Sequence, residues 1–266
     1  MSLLQVTDLN VRFTDEHGVA GAPVVRDLSF SLAAGETLAL VGESGSGKST
    51  TGFAILGLLP VQAEVSATCL RIGDIDLLHA DEKRMQAVRG GHIGMVFQDA
   101  LSALHPLMTI GDQVAEAVRL HQQVSKAEAR AKALILLKRV RIPEAERRMA
   151  EYPHRLSGGM RQRVVIAIAL AGQPDILIAD EPTTALDMTV QAQILALLRD
   201  LQDETGMAIL LITHDLSVVA EMADRVMVMR HGECIEAQSA IALFNHPQHF
   251  YTRQLMASRP LSGGSL

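Results

Sequence analysis

Two serine- and glycine-rich stretches in this 266-residue sequence could each hold an anion. The first, "GESGSGKST", comprises Gly42, Glu43, Ser44, Gly45, Ser46, Gly47, Lys48, Ser49 and Thr50 and satisfies G-x-x-x-x-G-K-[ST] between the strand-like "TLALV" and the helical spacing of "STTGFAILGLL". In that setting bare glycines let backbone N–H groups wrap phosphates, Lys48 reaches the β and γ oxygens, and the Ser49 hydroxyl binds Mg2+. The second is "LSGGMRQR", where Ser157, Gly158 and Gly159 open a helical run, presenting free N–H groups at the positive end of a helix dipole. A plain helix cap is the alternative. It leaves unexplained two successive glycines where alanine would stabilise a helix by about 1 kcal/mol each.

Acids and other polar residues follow further strand-like runs. "ILIADEP" places Asp180 and Glu181 at the end of a buried strand, where open parallel sheets gather their ligands. Adjacent residues cannot share one role, so Asp180 is expected in the Mg2+ shell and Glu181 orienting or deprotonating an attacking water. Gln98 in "GMVFQD" and His214 in "LLITHD" also follow apolar runs and can project from the same sheet edge. Phe13 offers a ring face for stacking on adenine, or a core side chain in an alternating segment.

Residues 3–41 alternate apolar and polar positions, as half-exposed antiparallel strands do, before one buried strand. From about Asp99 to Tyr152 the texture is helical, without a strand candidate. "DILIAD", "MAILLIT" and "RVMVMR" then alternate with helical runs, the pattern of a parallel sheet with crossover helices. With 48% hydrophobic and 20% charged residues the chain can bury a large core, and a net charge of −6 with 3% aromatics argues against a nucleic-acid partner. Its apolar runs, such as Val164 to Ala171, fall short of a bilayer span, and "MSLLQVTDLN" lacks an export-signal pattern. The two cysteines, Cys69 and Cys234, have no metal-ligand spacing, and "HGEC" (His231–Cys234) reads as a turn between strands. The terminal "SRPLSGGSL" reads as mobile.

"GESGSGKST", "FQD", "LSGGMRQR", "ILIADEP", "TTALD" and "THD" occur in the order seen in ABC transporter ATPase subunits, which the chain resembles over nearly its whole length. Leu-Ser-Gly-Gly is the most specific element, because other phosphate-loop ATPases and GTPases lack it. The resemblance implies an α/β fold: a phosphate-loop ATPase core with a mostly parallel sheet, an N-terminal antiparallel β subdomain and an inserted helical subdomain. Residues 1–98 and 161–245 would form the core with its β subdomain, 99–160 the helical subdomain and 246–266 a C-terminal tail. It further implies ATP and Mg2+ as ligands, Phe13 against adenine, Gln98 coupling the helical lobe and approaching the metal, Asp180 linked to Mg2+, Glu181 as general base, Asp187 in a dimer-contacting loop and His214 as γ-phosphate switch. Ser157, Gly158 and Gly159 would bind the γ-phosphate of ATP held by another subunit.

The family likeness also implies separate permease subunits, a second ATP-binding subunit identical or paralogous to this one, an extracytoplasmic solute-binding protein acting indirectly, and a peripheral location on the cytoplasmic face of a bacterial inner membrane. "VFQDALSALHPLMTIGDQV" and "HPQHFYTRQLMASRP" resemble the oligopeptide/dipeptide/nickel import group. The sequence stops soon after "YTRQLM" without the cysteine-bearing extension of the group's peptide members and carries Gln248 and His249 before "FYTR", which favours nickel or metal-chelate cargo, with peptides as the alternative. His246 and His249 are read as surface residues, since a cytosolic motor need not touch its cargo. A soluble ABC ATPase acting on ribosomes or nucleic acid would carry two cassettes or a long coiled-coil insertion, and a small-molecule kinase has no use for "LSGGMRQR".

Overall fold

The computed structural model describes residues 2–15, 17, 19–184 and 186–257, so "SRPLSGGSL" lies outside the described residues. Strands β1 (Ser2–Phe13) and β2 (Val25–Ala33) pair antiparallel, and their alternation turns Leu4, Val6, Leu9 and Val11 inward. Strand β3 (Thr37–Val41) crosses to a second sheet, where all five of its residues are buried, and leads into helix α1 (Lys48–Ile55). The chain then returns to the first sheet. Short strands β4 (Ala63–Ser66) and β5 (Cys69–Ile72) both pair with β1, and β6 (Ile75–Asp76) pairs with β5. Helix α2 (Glu82–Val88), capped by the Asp81 carboxylate on the Arg84 N–H, delivers β7 (Ile93–Val96) to the second sheet.

Between β7 and the next strand lie α3 (Ile110–His121), α4 (Lys126–Arg139), α5 (Ala145–Arg148) and α6 (Gly158–Ala169). Three of these starts are written in side chains: Thr109 caps α3, Ser125 with Glu128 forms a capping box on α4, and Ser157 caps α6. The remainder alternates: β8 (Ile176–Asp180), α7 (Met188–Thr205), β9 (Ala208–Thr213), α8 (Leu216–Met222), β10 (Arg225–Arg230), β11 (Glu233–Ser239), α9 (Ala240–Asn245) and α10 (Phe250–Ala257). The expected turn at His231 and Gly232 joins β10 to β11.

The second sheet runs β11-β10-β3-β9-β8-β7, parallel throughout except for β11. Parallel strands share a carboxyl edge, so Val41, Val96, Asp180 and Thr213 end on the same side. Each face has its own core. Leu38, Leu40, Ile178 and Leu210 pack toward Leu4, Leu28 and Leu32 of the β subdomain, whereas Ala39, Val41, Leu177 and Leu211 pack with the helices, including Val114, Val118, Ala133 and Leu137 of the inserted lobe. A division at 160/161 cuts α6 after its third residue; a continuous helix rather than a linker therefore joins lobe and core. No helix among the described residues is long and apolar enough to cross a membrane.

Candidate active site

The loop Gly42–Gly47 lies between β3 and α1, and Lys48 and Ser49 open the helix, as the motif's spacing requires. Gly42 has φ 154°, and a Cβ there would stand 2.1 Å from the Met229 carbonyl oxygen of β10. Gly47 has φ 98°, and its Cβ would lie 2.6 Å from the Val24 carbonyl oxygen. Both positions therefore demand glycine on two counts. The β10–β11 turn closes on the loop from the same side: the Gly232 N–H donates to the Ser46 carbonyl at 3.2 Å, while the Gly232 carbonyl accepts from the Arg26 N–H at 2.8 Å. Glu43, Ser44 and Gly45 are exposed, Ser46 is buried and Thr50 is half-buried.

Lys48 is buried, and its ammonium donates to the carbonyls of Gly42 at 2.8 Å and Glu43 at 2.9 Å. Burial holds its pKa below the ordinary lysine range, against the opposing pull of Glu181 and Asp180. Asp180 ends β8 almost fully buried and accepts from the Ser49 hydroxyl at 2.9 Å. Burial first, then repulsion from Glu181, pushes its carboxyl above the usual range despite the Ser49 bond and Lys48. A hydroxyl and a carboxylate side by side are the hard oxygen donors that suit Mg2+, so Ser49 and Asp180 fit the expected cation.

Glu181 adopts φ 47°, a left-handed conformation uncommon for a residue with a side chain, and its N–H donates to the Ile212 carbonyl at 2.8 Å. Its Oε1 lies 2.7 Å from His214 Nδ1, and its Oε2 accepts from the Thr184 hydroxyl at 2.5 Å. The acid is thus held at both oxygens. Thr184, three residues on in "TTALD", has its hydroxyl within reach of Glu181; no periodicity reveals that, because the turn geometry creates it.

Ser157 caps α6, accepting from the Met160 N–H at 3.3 Å, and Asp187 caps α7, accepting from the Val190 N–H at 2.9 Å. The two caps are neighbours: a Cβ on Gly159 would lie 2.5 Å from Val190 Cγ1, whereas one on Gly158 would meet Leu186 at an ordinary 3.4 Å. Gly159 thus has a packing reason within its own chain, and only Gly158 keeps the unexplained bareness that the sequence assigned to both. Arg163 turns inward and donates to the Val140 carbonyl at 3.0 Å and to Gln193 Oε1 at 3.2 Å, tying α6 to α4 and α7. Gln98 is exposed and lines a cleft of about 330 Å³ with Leu101, Gly158, Arg161 and Thr184. The cleft brings Gln98, Gly158 and Thr184, the hydroxyl partner of Glu181, to one opening. Phe13 is half-buried at the end of β1 and packs on the β-subdomain core. Two residues before it, Val11 pairs with Val25, whose Cγ2 would lie 3.2 Å from a Cβ on Gly47. The strand thus ends beside the phosphate loop.

Phosphate-loop nucleotide-binding proteins place their glycine loop as this chain does, between a central strand of a parallel sheet and the helix that follows. The chain belongs to the ABC transporter family, whose model matches residues 25–184. It is 50% identical over 268 residues to the glutathione import ATP-binding protein GsiA of Escherichia coli O1:K1 / APEC, covering 98% of this chain and 42% of that protein. GsiA of E. coli strain K12 is 49% identical, with 98% and 43% covered. The chain therefore spans less than half the length of these relatives. Among solved structures, the cassette MJ0796 in a dimeric post-hydrolysis state bound to ADP and Pi superposes with a TM-score of 0.77 at 30% identity, over 89% of this chain and 98% of that one. The cbiO1 protein from Clostridium perfringens, part of an ABC transporter complex, gives 0.78 at 28% identity, over 97% and 96%.

Proposed function

We propose that this chain binds and hydrolyses ATP as a subunit of an import transporter. The observation that carries the reading is the Ser49–Asp180 pair beside the buried Lys48, with the Glu181–His214 pair on the next residue. An arriving triphosphate offers Lys48 oxygens in place of the Gly42 and Glu43 carbonyls, and so relieves an ammonium that burial disfavours. Ser49 and Asp180 hold Mg2+, which neutralises phosphate charge when bound. Glu181 orients and deprotonates the water, and His214 and Thr184 fix the direction of its lone pairs. The backbone amides of Gly45, Ser46 and Gly47 cradle phosphate, and Phe13 stacks on the base.

Ser157 and Gly158 serve nucleotide on a second ATP-binding subunit, with Asp187 at the contact; the exposure of Ser157 and the dimeric cassettes among the structural neighbours support this. Permeases dock beside the helical lobe near Gln98, and the assembly sits on the cytoplasmic face of a bacterial inner membrane. For cargo, a short peptide now stands ahead of nickel. The half-identical relatives are named for glutathione, a tripeptide, and Gln248 and His249 have a structural use: their N–H groups bind Glu236 at 2.7 and 2.9 Å. Phosphate release from Mg-ATP by the purified chain, lost in Lys48→Ala, tests the ATPase reading. No release above the Lys48→Ala level overturns it.

A further inference from the structure

The C-terminal helix α10 reaches the phosphate loop. Tyr251, only 3% exposed, lies with its hydroxyl oxygen 3.3 Å from the Glu43 N–H, which donates to it. The Arg230 guanidinium stacks 4.7 Å above the Tyr251 ring, and the Tyr251 N–H donates to His249 Nδ1 at 3.1 Å. Behind this, Glu236 of β11 clasps the N-terminus of the helix, accepting from the Gln248 and His249 N–H groups. The site described above makes no use of these contacts.

Glu43 is held from two sides. Its carbonyl accepts from Lys48 and its N–H donates to Tyr251. Nucleotide binding takes Lys48 away from that carbonyl, and the Tyr251 bond then remains to fix the first turn of the loop. We infer that Tyr251 is a positioning residue for the phosphate loop, through which the docking of α10 sets nucleotide affinity. This rests on the ATPase reading. It makes residues 236–257 a handle on the catalytic cassette: whatever loosens α10 weakens ATP binding without touching the hydrolytic pair.

The test compares the full chain with Tyr251→Phe, which keeps the ring and removes one acceptor. Titration with a fluorescent ATP analogue and steady-state Mg-ATP hydrolysis should both show Kd and KM raised about threefold to tenfold, the worth of one hydrogen bond, with kcat within about twofold of the parent. Glu236→Gln should raise KM in the same way, and the double variant should be no worse than Tyr251→Phe alone, because the two act in series. Unchanged Kd and KM in Tyr251→Phe, or a loss confined to kcat, overturns the inference while leaving the ATPase reading intact. A parent chain that takes up no nucleotide sinks both.

Discussion

His214 Nδ1 stands 2.7 Å from Glu181 Oε1, across the carboxyl edge of two neighbouring parallel strands. The imidazole and the acid come from segments 33 residues apart, yet each ends a strand of the same sheet, so the pairing follows from topology rather than from a local motif. With Thr184 on its other oxygen, the Glu181 carboxylate is held in one orientation, as the proposed role of aiming a water would require.

Glu181→Gln keeps the shape but loses the base. Hydrolysis should slow by roughly 10²–10⁴-fold while nucleotide affinity is kept, and the variant should accumulate as a nucleotide-bound dimer. Phosphate release and light scattering measure the two halves. Turnover at the parent rate removes Glu181 from the role.

Asp180 yields a pH prediction. Its carboxyl titrates above the ordinary range when folded, so its contribution to stability is fully present below the unfolded value of about 3.9 and is lost as pH rises through the raised folded value. Asp180→Asn removes this loss. In EDTA at neutral pH it should melt about 2–4 °C above the parent, the equivalent of about 1 kcal/mol, with the gap closing toward acid. Calorimetry across pH checks the sign; a gap that widens in acid contradicts it.

Gly159→Ala should destabilise the chain by about 1–3 kcal/mol through overpacking against Val190. Val190→Ala should relieve it. A double variant that regains stability but not hydrolysis would give Gly159 a nucleotide role beyond packing; one that regains both makes it a spacer.

Ser157→Arg should abolish hydrolysis while leaving nucleotide binding by the isolated chain untouched. Mixing it with Lys48→Ala should restore part of the activity, since a dimer of the two contains one site with an intact loop and an intact tip. Loss of binding in the isolated variant would put Ser157 in its own chain's pocket.

Phe13→Ala should weaken nucleotide binding by roughly 1–3 kcal/mol if the ring stacks on the base. Unchanged affinity in an equilibrium titration makes Phe13 a core residue only.

The strands of the main sheet were legible because β3, β8 and β9 are buried from end to end and read as unbroken apolar runs. Strands β4, β5 and β6 were not, for they are four, four and two residues long and take their order from pairing onto β1 and onto one another. The loop after β3 and the acid ending β8 were legible because a G-x-x-x-x-G-K-[ST] spacing and an apolar run closing on Asp180 are local patterns. The left-handed backbone of Glu181, its bond to Thr184, the Val190 contact of Gly159 and the reach of Tyr251 to Glu43 depend on the turn and tertiary geometry, and no local pattern encodes them. The segment read as a tail from 246 onward includes α10, whose buried Tyr251 and Thr252 anchor it to the core.

Gly42 under the Met229 carbonyl, Gly47 under that of Val24 and Gly232 bonded to Ser46 mean that three distant pieces of chain cast the anion cradle between them. A loop braced in this way keeps its shape through contacts with other segments, which lowers the ordering cost expected for the proposed phosphate binding. It also follows that the nine residues Gly42–Thr50, grafted alone onto another scaffold, would not keep their shape. The smallest transferable unit is the loop together with the chain at Val24 and Val25, the β10–β11 hairpin and the Tyr251 turn of α10.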